Sequence, residues 1–145
     1  MAGYRKPLPR IDEESRGFWE ALARHELYFQ RCRACGTKRF YPRAFCTECL
    51  SPATEWVRAS GGGTVYTFTV THQNQAPGFR EELPYVLAVV ELEEGVRMMT
   101  NIVGCAPETV RIGMPVEVLF VVVTPDVTLA KFRPRCAGSP CGPRA

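Results

Sequence analysis

The amino-acid sequence predicts a mainly β protein with a short N-terminal helix, then a small four-cysteine ribbon, then a closed barrel of five strands. Three observations lead to this prediction. An apolar stripe near helical spacing precedes the first cysteine, two Cys-x-x-Cys pairs follow it, and five short segments with strand-like patterns occupy the second half. With 145 residues, the chain has the length of one compact domain, or of a small domain with an appended module.

Residues 1–27 are predicted to form an extended arm followed by a helix. Two prolines favour extended backbone within the first ten residues. A helix is predicted over residues 12–27, with Asp12 or Ser15 as its N-cap and acidic residues in its first turn. Gly17 lowers the helix propensity, which favours a start at Ser15 or later. The apolar stripe consists of Phe18, Trp19 and Leu22.

Residues 28–58 are predicted to form a zinc ribbon around four cysteines. Each Cys-x-x-Cys pair makes a tight knuckle that directs two sulfurs to one point, and the intervening hairpin brings the two knuckles together. Four thiolates in a tetrahedron fill the coordination of zinc, so the ion would be structural, with no open position for water. Gly36, directly after the second cysteine, suits the positive φ that such a knuckle requires. The predicted metal ligands are Cys32, Cys35, Cys46 and Cys49.

The charge of this segment supports the same site. Zinc with four thiolates carries a formal charge of about −2, and residues 28–46 contain no acidic side chain. Five basic residues within that segment can offset this charge and keep the thiols deprotonated. A nearby phosphate-bearing ligand or acidic protein surface is the alternative explanation for their presence. These residues are Arg31, Arg33, Lys38, Arg39 and Arg43.

Other uses of the four cysteines are iron in a rubredoxin-like site, two disulfides or a redox dithiol. Ligand spacing alone does not distinguish zinc from iron. The first ten residues lack the apolar stretch of a secretory signal, and no run approaches the about 20 apolar residues of a membrane helix. A cytoplasmic location without membrane attachment is therefore expected, where thiols stay reduced and a metal is favoured over disulfides.

Residues 59–135 are predicted to form a barrel of five strands with the OB-fold plan. A hairpin turn at residues 93–95, and a helical turn at residues 107–110 between the third and fourth strands, match that plan. The alternative is an antiparallel sheet covered by the N-terminal helix, which is disfavoured because two of the strands are apolar on both faces. The strands are predicted at residues 66–71, 85–92, 96–103, 116–123 and 127–133.

The first barrel strand has two features of its own. It follows three glycines, residues 61–63, where a strand could bend sharply enough to serve both sides of a barrel. Tyr66, Phe68 and Val70 then alternate with threonines, which predicts that these three side chains share one buried face.

The chain contains few residues that could form a catalytic site. His25 is placed at the end of the predicted helix, and His72 at the end of the first barrel strand. Cys105 and His72 could form a nucleophile pair, but nothing in the sequence brings them together. Phosphate loops, dinucleotide fingerprints and nucleophile elbows are absent from the sequence. The chain is therefore predicted to be a binding or accessory module.

The last ten residues, 136–145, are rich in glycine and proline and have little to bury. They are predicted to be a flexible tail. Cys136 and Cys141 lie within it, and a second metal site there would need two further ligands from elsewhere.

The order of helix, ribbon and barrel resembles a known family: small OB-fold proteins with an N-terminal rubredoxin-like zinc ribbon that accompany thiolase-type acyl-CoA enzymes. The resemblance covers about residues 18–134 and is most specific around the cysteines. Its N-terminal motifs are Phe18-Trp19-Glu20, Leu27-x-x-Gln30-Arg31-Cys32-x-x-Cys35-Gly36, and Tyr41-Pro42-Arg43 before Cys46-x-x-Cys49. Its barrel motifs are Gly63-x-Val65-Tyr66-Thr67-Phe68-Thr69, His72, Pro84-Tyr85, Glu94-Gly95-x-Arg97, Ile112-Gly113-Met114-Pro115-Val116 and Phe132-Arg133-Pro134.

The resemblance implies an accessory subunit without catalytic residues. Members of the family pair with thiolase-superfamily proteins (ketothiolases, lipid-transfer-type aldolases and acyltransferases), whose large subunit holds the catalytic cysteine and histidines. The small subunit braces the large one and helps to shape the acyl-CoA entrance, in a hetero-oligomer such as a heterotetramer. Structural Zn²⁺ and an acyl-CoA bound by the complex are the expected cofactor and ligand.

A coenzyme A thioester presents three phosphate groups, so basic residues beside the ribbon could contact it through charge-assisted hydrogen bonds. Two bases on the last barrel strand are assigned the same role. Together the expected contacts are Lys38, Arg39, Arg43, Lys131 and Arg133.

Two other functions use the same elements. A stand-alone acyl-CoA-binding protein or enzyme would bind or convert CoA esters by itself. A nucleic-acid-binding module would need aromatic platforms and a basic groove on the barrel. The net charge of +3 comes from the first 60 residues, since residues 61–145 hold seven basic against eight acidic side chains. Nucleic acid is therefore not expected as a partner.

Overall fold

The structure is a computed structural model that describes residues 3–135. It contains one helix, a three-stranded sheet and a closed five-stranded barrel, which confirms the predicted mainly β class and the order of its elements. The predicted flexible tail, residues 136–145 with Cys136 and Cys141, lies outside the described residues. Residues 3–135 contain no helix that is both long enough and apolar enough to cross a membrane.

The helix α1 spans Arg16–Ala23 and is shorter than the predicted 12–27. Ser15 is its N-cap residue but makes no side-chain cap. Instead, the Asp12 carboxylate accepts hydrogen bonds from the Ser15 amide (2.9 Å) and hydroxyl (2.7 Å), which forms a turn before the helix. The prediction of acids in the first helical turn is therefore wrong, because residues 12–14 belong to that preceding turn.

The ribbon sheet consists of β1 (Tyr28–Cys32), β2 (Lys38–Arg39) and β3 (Thr54–Arg58), in the order β2-β1-β3. Both pairings are antiparallel. The first knuckle follows directly from the end of β1, and the second lies in the segment between β2 and β3. The sheet thus carries both knuckles at one end, where the cysteines meet.

The barrel consists of β4 (Gly62–Thr71), β5 (Tyr85–Leu92), β6 (Arg97–Ile102), β7 (Pro115–Thr124) and β8 (Val127–Pro134). Its strand order, β4-β5-β6-β8-β7, closes through the pairing of β4 with β7. The open sheet considered as the alternative is excluded by this closure. A 3-10 turn at Pro107–Thr109 stands between β6 and β7, where the sequence predicted a helical turn.

The glycines at the start of β4 allow this closure. Gly63 pairs with Leu92 of β5 on one side and with Val116 of β7 on the other. A Cβ atom on Gly63 would lie 2.6 Å from the carbonyl oxygen of Glu91, which is closer than a carbon atom can approach. The predicted role of the triple glycine, a strand that serves both sides of the barrel, is confirmed.

The predicted alternation along β4 is wrong at one residue. Val65 is buried and Tyr66 is exposed, while Phe68 and Val70 are half-buried. The pairing register with β5 shifts between Val65 and Thr67, so Tyr66 is the extra residue of a bulge. The bulge moves Tyr66 off the inner face, where its ring instead stacks on the Arg97 guanidinium at 3.7 Å.

One hydrophobic core connects all three elements. It joins the apolar face of α1 and the inner residues of the ribbon to the interior of the barrel. The ribbon is therefore packed onto the barrel as part of the same core, and its knuckles have a defined position. The core residues from α1 and the ribbon are Phe18, Leu22, Leu27, Phe29 and Phe40, and those from the barrel include Val65, Val86, Val90, Val116 and Phe132.

Candidate metal centre and the surrounding surface

The four ribbon cysteines converge on one point. Their sulfur atoms all lie within 4.8 Å of one another, with Cys32 Sγ 3.6 Å from Cys49 Sγ and Cys35 Sγ 3.6 Å from Cys46 Sγ. A zinc ion with bonds of about 2.3 Å in a tetrahedron requires sulfur separations of about 3.8 Å. The arrangement therefore fits one tetrahedral ion with four protein ligands.

The two knuckles have the same backbone hydrogen bonds. In the first, the Gly36 N–H donates to the carbonyl of Cys32 at 2.9 Å. In the second, the Leu50 N–H donates to the carbonyl of Cys46 at 3.1 Å. Both donors have positive φ, 77° for Gly36 and 58° for Leu50. The sequence predicted the first of these backbone conformations from the glycine, but not the second, since leucine rarely adopts it.

The knuckles also set the protonation of the thiols. Thr37 lies with its Oγ1 3.1 Å from Cys35 Sγ, and hydrogen bonds from this residue lower the pKa of Cys35 to about 6. Backbone N–H groups at Cys49 and Glu48 lower the pKa of Cys46. A backbone bond at Ser51 lowers the pKa of Cys49, but the neighbouring thiols and burial outweigh it and raise that pKa to about 12. Hydrogen-bond donors in the knuckles thus lower the pKa of two of the four thiols.

Two of the ribbon arginines are paired with a carboxylate on the neighbouring strand. Arg31 Nε donates to Glu55 Oε1 at 2.7 Å, and Arg33 Nε lies 3.4 Å from Glu55 Oε2. Glu55 belongs to β3, directly across from Arg31 on β1. The hydrogen bond from Arg31 lowers the pKa of Glu55. These two arginines therefore help to hold the ribbon sheet together.

The other three basic residues of the segment 28–46 bond to backbone carbonyls. Lys38 Nζ donates to the carbonyl of Glu94 at 3.2 Å, and Arg43 Nη1 to that of Pro42 at 3.0 Å. Arg39 is only 9% exposed, and its Nη2 donates to the carbonyl of Arg43 at 2.9 Å. Its Nε and Nη1 are buried without a hydrogen-bond partner in the described part of the chain. Lys38 and Arg43 thus face solvent, whereas the head group of Arg39 does not.

The two basic residues of β8 lie on the barrel, apart from the ribbon sheet. Lys131 is half-buried, and this burial, followed by the nearby charge of Lys6, lowers its pKa. Arg133 is exposed and pairs with Glu117 of β7 at 2.9 Å. The five predicted phosphate contacts therefore divide between two elements, the ribbon and β8.

The residues considered for catalysis are not joined in the structure. His72 is exposed just after β4, and Cys105 is half-buried in the loop after β6. No hydrogen bond connects these two side chains within residues 3–135. His25 follows the helix with φ 58°, and its ring stacks on Phe120 with centroids 5.3 Å apart.

A cavity of about 470 Å³ opens where the end of α1, the segment between ribbon and barrel, and the β5–β6 turn meet. The stacked rings of His25 and Phe120 form one of its walls. On another wall, Glu94 Oε1 accepts a hydrogen bond from the Ser60 N–H at 2.6 Å, while Oε2 is buried without a partner. No pattern in the sequence indicated this cavity, because its lining comes from four separate segments.

Three large apolar side chains are exposed in residues 41–50, the segment that contains the second knuckle, and the sequence analysis did not predict this. They are Tyr41, Phe45 and Leu50. The exposure of a loop side chain depends on which distant segments pack against it, so only the three-dimensional arrangement shows that these three side chains face outwards.

Comparison with known proteins places both halves of the chain. Residues 19–55 match the family model described as the ChsH2 rubredoxin-like zinc ribbon domain, and residues 56–121 match that of the ChsH2 C-terminal OB-fold domain. A DUF35 domain-containing scaffold protein of Methanocaldococcus jannaschii is 46% identical over 99 residues, which cover 67% of this chain and 69% of the relative.

Longer relatives are also similar. A probable enoyl-CoA hydratase alpha subunit of Thermomonospora curvata is 43% identical over 129 residues, or 89% of this chain, but the chain spans only 40% of that subunit's length. Among solved structures, a chain of the Ltp2-ChsH2(DUF35) aldolase superposes with a TM-score of 0.79 at 42% identity. The match covers 88% of this chain and 98% of that one.

Proposed function

Because this chain belongs to the DUF35 family, whose members combine a ChsH2-type zinc ribbon with an OB-fold domain, we propose that it is a non-catalytic accessory subunit of a thiolase-superfamily acyl-CoA enzyme. The catalytic subunit, a thiolase, aldolase or acyltransferase, supplies the reacting groups. This chain braces that subunit and contributes to its acyl-CoA site. The observation that carries the proposal is the similarity, over nearly the full length of both chains, to the DUF35 chain of the Ltp2 aldolase.

The ribbon is proposed to hold one zinc ion through Cys32, Cys35, Cys46 and Cys49. The ion supplies a structural cross-link between the two knuckles and no Lewis-acid chemistry, since protein sulfurs fill its coordination. The zinc-ribbon match and the sulfur positions support this assignment. In the same proposal the chain works in the cytoplasm, where its thiols stay reduced.

Contacts to the phosphates of coenzyme A are proposed for two solvent-facing bases of the ribbon, Lys38 and Arg43. Neither is paired with a carboxylate in the described part of the chain. Arg39 holds the backbone of Arg43 in place, because its guanidinium donates a hydrogen bond to the carbonyl of Arg43. Lys131 and Arg133 are proposed as a separate contact, because they lie on β8 of the barrel and not on the ribbon. To bind a phosphate there, Arg133 would have to release Glu117, and Lys131 is half-buried.

The proposal is tested by producing the chain together with a thiolase-superfamily protein of the same organism. We expect the two to co-purify, and light scattering after size exclusion to give the mass of a hetero-oligomer such as a heterotetramer. The catalytic subunit produced without this chain should have only a small part of the activity of the complex. Separate elution of the two proteins, with full activity of the larger one alone, would refute the accessory role.

A calorimetric titration of the purified chain with acetyl-CoA separates this function from that of a stand-alone acyl-CoA protein. The accessory role predicts no tight binding and no turnover by the chain alone, because only part of the ligand site is on this subunit. Tight binding or conversion of the ester by the isolated chain would favour the stand-alone function.

A further inference from the structure

The segment of residues 41–50, called here the ribbon tip, exposes three large apolar side chains to solvent. Tyr41 is 55% exposed, Phe45 58% and Leu50 74%. The last two flank the second knuckle, because Phe45 immediately precedes Cys46 and the Leu50 N–H bonds to the Cys46 carbonyl. Exposed aromatic and aliphatic residues grouped in this way are typical of protein–protein contact surfaces.

The ribbon tip is held in place although its first half has no regular secondary structure. The Arg43 N–H donates to Oε1 of the buried Gln30 at 2.9 Å, and the Ala44 N–H donates to Glu14 Oε1 at 3.0 Å. From the interior, Arg39 donates to the Arg43 carbonyl. Burying that guanidinium with two nitrogens unpartnered is costly. The loop is thus preorganised, which lowers the entropy cost of binding a partner.

The backbone strain of Leu50 adds a second unfavourable contribution to the free energy of folding, also in the ribbon tip. It occupies the position that Gly36 occupies in the first knuckle, with the equivalent hydrogen bond and the same sign of φ. Glycine adopts this conformation freely, whereas a leucine there is strained. The strain is not offset by burial, since the side chain projects into solvent. A strained residue that presents an apolar side chain outwards is understandable if that side chain contacts another molecule.

The charged side chains beside the ribbon tip indicate where on the partner the tip would bind. Lys38 and Arg43 are exposed and have no carboxylate partner within residues 3–135, while Glu48 is the only acid between residues 38 and 50. In the proposed function these two bases contact the phosphates of coenzyme A, so the surface that is complementary to the tip would have an apolar pocket beside the coenzyme A entrance of the catalytic subunit.

We propose that the ribbon tip is the principal apolar contact with the catalytic subunit, with Phe45 and Leu50 entering an apolar pocket beside the coenzyme A entrance of that subunit. This inference rests on the proposed function, and it names the surface through which the accessory role is carried out.

The test measures, by surface plasmon resonance, binding of the full, zinc-loaded chain to the immobilised thiolase-superfamily protein with which it co-purifies. The variants are Leu50→Gly and Phe45→Ser. Leu50→Gly removes the side chain and relieves the backbone strain, so it leaves the fold intact. The matched control is Ile112→Ser, which removes a side chain that is 70% exposed on a barrel turn.

We expect each tip variant to raise Kd by at least about 10-fold, as for central apolar contacts, and the control to remain within about twofold of wild type. Zinc content and thermal midpoint should match wild type for all three. If wild type binds and the tip variants bind equally well, the tip is not the contact and the proposed function stands. If wild type does not bind, both fail. Self-association of the free chain that Leu50→Gly abolishes would identify a second copy as the occupant and overturn the proposal.

Discussion

Lys38 Nζ on the ribbon donates to the backbone carbonyl of Glu94 at the tip of the β5–β6 hairpin, 3.2 Å away, and so connects the ribbon directly to the barrel. The Glu94 side chain adds a second connection, because its Oε1 accepts from the N–H of Ser60 in the segment between the two elements. The hairpin therefore positions the ribbon, in addition to connecting strands β5 and β6 of the barrel.

Replacing Glu94 tests this connection. Glu94→Ala leaves the Ser60 N–H without its 2.6 Å acceptor, and we expect the free energy of unfolding in urea to fall by about 1–2 kcal/mol. Glu94→Gln keeps a side-chain oxygen in the same place and should retain most of the stability. An Ala variant as stable as the Gln variant would show that this hydrogen bond is unimportant.

Metal removal should affect the whole chain and not the ribbon alone. Phe29 and Phe40 of the ribbon belong to the same core as the barrel residues, and metal binding in such sites contributes directly to folding. Chelation of zinc, or the Cys46→Ala substitution, should therefore lower the midpoint of one cooperative thermal transition.

The metal content is checked by elemental analysis, with Cys105→Ser as the matched cysteine control. We expect one zinc per chain in wild type and in Cys105→Ser, and a large loss of zinc in Cys46→Ala. Metal-free material that melts like wild type would contradict a structural role for the ion.

Acid should weaken the ribbon sheet through Glu55. Its pKa is lowered from the ordinary value of 4.5, chiefly by the hydrogen bond from Arg31. A carboxylate with a lowered folded-state pKa stabilises the fold above its unfolded pKa, and this contribution is lost as the pH falls through the folded-state pKa. Wild type should thus melt above Glu55→Gln at pH 7, and the difference should begin to shrink as the pH falls below about 4.5 and vanish once the pH is below the lowered pKa. A difference between them that is independent of pH would exclude the ionic origin.

The close approach at Gly63 can be tested with one methyl group. In Gly63→Ala the new Cβ would lie 2.6 Å from the Glu91 carbonyl oxygen and 2.9 Å from Val90 Cγ1. Since both neighbours are part of a paired strand and cannot move away independently, we expect a loss of about 2–4 kcal/mol in chemical denaturation. Gly3→Ala is the control, because no atom lies within 4 Å of its Cβ position. Equal stabilities would mean that the barrel is looser at this closure than the structure indicates.

The parts of this protein that follow local rules could be predicted from the sequence. Strand β5 was predicted with the bounds it has, Tyr85–Leu92, because an apolar segment between turn residues has few alternatives. The helix was predicted four residues too long at each end. At its start, a side-chain bond between Ser15 and Asp12 replaced a helical turn, and at its end His25 adopts positive φ and reverses the chain.

Predictions of side-chain direction were less successful where strands pair irregularly. Tyr66 was expected inside the barrel, but the bulge against β5 turns it outwards. Arg39 was predicted as a phosphate contact from its charge alone, and the structure adds that its head group lies inside the ribbon and bonds the carbonyl of Arg43. Both outcomes depend on neighbours distant in sequence, which a pattern along one segment does not contain.

The sequence by itself determined the kinds of unit in this chain: a helix from an apolar stripe, a metal-binding ribbon from the spacing of its cysteines, and a barrel from alternating strands and three glycines. The tertiary structure alone decided how these units face one another. It brought the side chain of Lys38 into contact with the β5–β6 hairpin and left Phe45 and Leu50 exposed beside the second knuckle. The physical reason is that spacing and periodicity act within about ten residues, whereas burial and exposure depend on which distant segments pack against a side chain.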